Sequence, residues 1–75
     1  MLETRLAMAH RFAVIFAKEE EGGYHFFCPT LPGCHTQSET VEEGVENIRE
    51  AIRRFIPMVK TFTLTFLGIV RLRRL

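Results

Sequence analysis

Residues 25–44 read HFFCPTLPGCHTQSETVEEG. At the centre, Leu31-Pro32-Gly33-Cys34 fits a type II turn: proline fixes φ at the second position and glycine accepts a positive φ at the third. The turn joins a strand over residues 24–28 to a returning strand over about 34–38. Thr40-Val41-Glu42-Glu43 then has the Thr-x-x-Glu form of a capping box, in which the hydroxyl and the carboxylate each satisfy an orphan backbone N–H. Val41, Val45, Ile48, Ile52 and Phe55 follow at steps of four and three, one apolar stripe along a helix. Pro57 ends that helix near Phe55. Gly44, unfavourable inside a helix by about 1 kcal/mol relative to Ala, marks a close approach of helix to strand.

Working backwards, RFAVIFAK at residues 11–18 alternates as a strand with both faces apolar: Phe12, Val14 and Phe16 on one, Ala13, Ile15 and Ala17 on the other. EEEGG at 19–23 is a polar break whose glycines permit a hairpin. Working forwards, TFTLTF at 61–66 points Phe62, Leu64 and Phe66 inward and three threonines outward. Gly68 bends or ends that strand. IVRLRRL beyond it continues as an arginine-guarded edge or forms a short basic helix. The predicted order is β-β-β-α-β, an α+β two-layer domain with one helix packed on a four-stranded sheet. Residues 1–10 carry no decisive signal, and residues 11–75 form the single domain.

The chain has 75 residues, 47% of them hydrophobic, with seven Phe, so it is a folded unit rather than a disordered tail. A core of this size rarely supplies more than ~3–5 kcal/mol, so self-association is expected. One helix covers one sheet face, which leaves Ala13, Ile15, Ala17 and Phe27 as the candidate interface of a homodimer or dimer of dimers. No apolar run is long enough for a signal core or a membrane span, and the expected location is the cytoplasm, with Cys28 and Cys34 reduced.

Charge is divided along the chain. Residues 1–50 hold all nine glutamates against four cations, a net of −5, whereas residues 51–75 hold six cations and no acid. Part of this is helix design, since Glu39, Glu42 and Glu43 precede and Arg53 and Arg54 end the helix.

His25, Cys28, Cys34 and His35 are four potential zinc ligands, but neither spacing matches the usual Cys-x2–4-Cys pattern and the turn forms without metal. A Cys34-His35 nucleophile fails because adjacent strand residues face opposite ways. The chain has no Asp, and its glutamates are those of a hairpin and a helix, which argues against a paired-carboxylate nuclease. No enzyme activity, metal or cofactor is expected.

The run FAVIFAKEEEGGYHFFCPTLPGCHTQSETVEEGVENIREAIRRF, residues 12–55, resembles the HicB-type antitoxin domain. The resemblance rests on the first strand, the acidic Gly-containing hairpin, the turn carrying Pro29, Leu31, Pro32, Gly33 and Cys34, and the helix capped by Thr40 and Glu43. Thr30, Ser38 and Gly44 depart from the family's frequent Asp, Gly and Ala. The resemblance implies a trimmed ribonuclease-H-like or double-stranded-RNA-binding-like fold. It also implies an antitoxin that neutralises a small HicA-like mRNA-cleaving toxin by protein contact. Glu19, Glu20 and Glu21, or the acidic helix face, are the candidate toxin contacts.

Longer relatives add a DNA-binding domain, for which residues 56–75 are too few, so specific DNA binding is not expected. The alternative reading is a stand-alone RNA-binding or regulatory module, with weak RNA association through Arg71, Arg73 and Arg74.

Overall fold

The computed structural model describes residues 10–69. Strand β1 spans Arg11–Lys18, β2 Tyr24–Phe27, β3 His35–Ser38 and β4 Thr63–Ile69, with helix α1 at Val41–Phe55 between β3 and β4. The sheet order is β3-β2-β1-β4. The pairs β1–β2 and β2–β3 are antiparallel, and β1–β4 is parallel. A parallel neighbour needs a crossover connection, and α1 supplies it on the way from one sheet edge to the other.

The turns form where glycine allows them. Gly22 (φ 104°) and Gly23 (φ 81°) turn β1 into β2, with the Glu19 N–H donating to the Gly23 carbonyl at 3.0 Å. Gly33 (φ 89°) and the Cys34 N–H donating to the Leu31 carbonyl at 2.9 Å meet the requirements of a type II turn. Cys28 N–H donates to Cys34 C=O at 3.0 Å and closes the loop between β2 and β3.

Register assigns the faces. Phe12 is opposite Leu64, Val14 opposite Phe66, and Phe16 opposite Phe26, so these side chains share the face beneath α1. The core is Val14, Phe26, Cys28, Cys34, Ile48 and Ile52, with Phe12, Phe16, Phe62, Leu64 and Phe66 packed around it. Phe16 stacks on Phe26 at 5.1 Å between ring centroids, and Phe66 meets Phe26 edge-on at 6.5 Å.

Two expectations need correcting. The helical stripe holds at Val41, Val45, Ile48 and Ile52, which lie in or against the core with Gly44, whereas Phe55, in the last turn, is 45% exposed. Strand β4 begins at Thr63, where its N–H reaches the His10 carbonyl at 2.9 Å, rather than at Thr61. Of the alternatives open at Gly68, continuation of the strand holds as far as Ile69, because the Gly68 position lies against the Phe16 ring and the parallel ladder carries on past it. The expected basic terminal stretch, with Arg71, Arg73 and Arg74, and most of the N-terminal segment lie outside the described residues. Among the described residues no helix is long and apolar enough to cross a membrane.

Candidate functional site

The helix start organises one end of the molecule. Thr40 has extended backbone (φ −128°, ψ 161°), which lets its Oγ1 accept from the Glu43 N–H at 3.1 Å. The Glu43 carboxylate reaches back to the Glu39 N–H at 3.1 Å, one residue beyond the N–H that a capping box usually satisfies. The Ser38 hydroxyl donates to the Thr40 carbonyl at 2.7 Å, and the Asn47 amide reaches the Gln37 carbonyl at 3.5 Å, which ties α1 to β3.

This arrangement brings together glutamates that are distant in sequence. A cleft of ≈ 370 Å³ lies between the β1–β2 hairpin and the start of α1, walled by Glu19 and Gly23 on one side and by Gln37, Glu39, Glu43 and Asn47 on the other. A second cleft of ≈ 430 Å³ shares Glu19, Gly22 and Gln37 and adds Glu20 and Glu21. The hairpin glutamates and the capping glutamates, alternatives in the sequence, are therefore one acidic surface. Lys18, with its Nζ 5.8 Å from the Tyr24 ring centroid, is the nearby cation. The parts played by Gln37 and Asn47 escaped the sequence reading, although Asn47 lies one helical turn beyond Glu43; Glu39 was read there as a charge at the helix start.

The signature turn does structural work. Cys28 and Cys34 are free thiols in the core, 2% and 4% exposed. Burial, and secondarily the neighbouring Cys28, pushes the Cys34 thiol up from its ordinary value. His25, Cys28, Cys34 and His35 do line one apolar notch, together with Pro29 and Pro32. However, the thiols are committed to the core, and the two imidazoles stand edge to face at 5.3 Å. Among the described residues no three His, Cys, Asp or Glu side chains gather to hold a metal ion.

Ala13, Ile15, Ala17 and Phe27 share the sheet face opposite α1, as their alternation requires. Ala13 is exposed and Ile15 and Phe27 are half-buried, but Ala17 is only 6% exposed, flanked by its register partners His25 and Ile69. Leu67 and Ile69 extend this face, exposed by 54% and 46%. The sequence reading left both out of the candidate interface because the course of the strand at Gly68 was open.

Against known sequences, residues 12–63 match the family described as HicB_like antitoxin of bacterial toxin-antitoxin system. A UPF0150 protein of Synechocystis is 51% identical over 63% of this chain and 60% of its own length. UPF0150 proteins of Thermoplasma acidophilum and Archaeoglobus fulgidus are 46% and 40% identical, each over 67% of this chain and 72% of the relative. This chain therefore aligns with less than two thirds of the Synechocystis relative. No solved structure matches.

Proposed function

Because the chain belongs to the HicB-like antitoxin family of bacterial toxin-antitoxin systems, we propose that it neutralises a small HicA-like mRNA-cleaving toxin by direct contact in the cytoplasm. The observation that carries the contact is the single acidic surface formed by the hairpin and the start of α1. A protein that cuts RNA must hold a polyanion, so its working surface is basic. An acidic surface both steers the encounter and competes for those cations. The role requires no bond to be made or broken by this chain, so it acts as a binder and not as a catalyst.

Co-expression tests the reading. The chain is produced with a small HicA-like toxin, and growth, mRNA integrity and co-purification are measured. Restored growth, intact mRNA and a stable complex are the expected results. A chain that neither co-purifies nor protects would overturn the proposal.

A further inference from the structure

We infer that the sheet face turned away from α1 is a homodimer interface whose occupant is a second copy of this chain. The register places Ile15, Phe27, Leu67 and Ile69 together at the heart of that face, through the direct pairs Ile15–Phe27, Ile15–Leu67 and Ala17–Ile69. A leucine and an isoleucine about half exposed beside two half-buried apolar side chains form a patch, not scattered single residues.

Charge selects the occupant. Among the described strand residues this face carries no carboxylate; its one permanent cation is Arg11 at the far end of β1, and its other polar side chains are His25, His35, Gln37, Thr63 and Thr65 around the apolar centre. A basic nuclease would find nothing on it to pair with. A nucleic acid could stack bases on Phe27, His25 and His35, but Arg11 is the one permanent cation on the face and offers little to its phosphates. The matching surface has an apolar centre, a polar margin and no carboxylate, which describes this face itself, and a two-fold axis makes one patch serve both partners.

Area is consistent with a dimer. At about 3.3 Å rise and about 4.8 Å spacing, the strand residues cover roughly 360 Å² of sheet per copy. Side-chain relief enlarges the accessible area, so two copies bury on the order of 1,000 Å², the low end for a specific interface. The dimer would have α1 on both outer sides and two sheets inside. The helix-side walls of the acidic clefts, Glu43 and Asn47, would stay outside the interface, so the dimer offers two of them. The inference stands whether or not the antitoxin reading does.

Sedimentation equilibrium on the full chain at micromolar to hundreds of micromolar concentration tests it. The expected result is a reversible dimer at twice the 8.7 kDa chain mass. Leu67→Lys is expected to weaken it at least tenfold, while Met58→Lys, 90% exposed and off this face, leaves it unchanged. Methyl NMR of the wild-type chain gives a readout that needs no variant. Dilution should shift Ile15, Leu67 and Ile69 but not the core methyls of Val14, Ile48 and Ile52. A monomer at every concentration would overturn the inference. So would a dimer indifferent to a folded Leu67→Lys variant, or a monomer whose Ile15 and Leu67 methyls respond to single-stranded RNA.

Discussion

Gly44 lies directly over the ring of Phe26, so that a Cβ built on the glycine would come closer than 3.0 Å to Cδ1, Cε1 and Cζ of the phenylalanine. The helix owes its depth on the sheet to this contact. Phe26 is fully buried and stacked on Phe16, so its ring has no room to withdraw. Two effects of Gly44→Ala therefore oppose each other. Helix propensity favours alanine by about 1 kcal/mol, whereas forcing a methyl into a filled core costs about 1–3 kcal/mol and sometimes more.

The clash is expected to win, and Gly44→Ala should destabilise the chain by about 1–2 kcal/mol in urea unfolding. In a Phe26→Leu background the ring is gone and the same substitution should become neutral or stabilising. A Gly44→Ala chain more stable than wild type would show that helix and sheet do not meet this closely.

The helix cap gives a second prediction. Thr40→Ala removes the acceptor for the Glu43 N–H and should cost about 1 kcal/mol. Glu43→Gln keeps an oxygen for the Glu39 N–H but loses a negative charge near the helix N-terminus, at about 0.3–1 kcal/mol. Each bond holds the residue that makes the other, so Thr40→Ala combined with Glu43→Ala should cost less than the two single losses added. Strict additivity would mean that the two bonds act independently.

Local features were readable in the sequence because they are local in cause. Alternation gave β1, Pro32-Gly33 gave the turn, and Thr40 with Glu43 gave the helix start. Gly44 was legible as a close approach, but not its partner, since Phe26 and Phe27 alternate in facing and only the register decides which lies beneath the helix. Leu67 and Ile69 were not assigned to a face because a glycine leaves a strand's continuation open, while here the Phe16 ring fills the space beside Gly68. The union of the hairpin and capping glutamates was not legible at all. It depends on β3 lying beside β2, which places Gln37 between them.

The cysteines give a pH-dependent prediction. Burial holds the Cys34 thiol protonated to higher pH than usual, and the thiolate is the reactive form. Native protein should therefore react with an alkylating reagent much more slowly at pH 8 than the same protein in denaturant. The folded state also binds this proton more tightly than the unfolded chain does. The stability it contributes is full below the ordinary thiol range and is lost as pH rises from there through the raised folded value. Rapid stoichiometric labelling of folded protein at pH 8 would contradict the burial.

The acidic end gives the last prediction. If hairpin and cap form one surface for the toxin, two separate sets of charge reversals should weaken the same complex. Glu19→Lys, Glu20→Lys and Glu21→Lys alter the hairpin side. Glu39→Lys, in the wall of the first cleft, with Glu42→Lys, in the first turn of α1, alters the helix side and spares Glu43, whose carboxylate is needed for the cap. Both sets should slow association with the toxin more than they speed dissociation, because charge at a solvent-exposed rim acts mainly by steering. Salt supplies an independent check: at physiological ionic strength the screening length is about 8 Å, so raising salt should weaken the wild-type complex. The reversed variants, having lost the attraction, should respond little to salt or tighten with it. Loss through the hairpin set alone would confine the contact to Glu19, Glu20 and Glu21. A complex unmoved by either set and by salt would remove the acidic end as the toxin surface and leave family membership untouched.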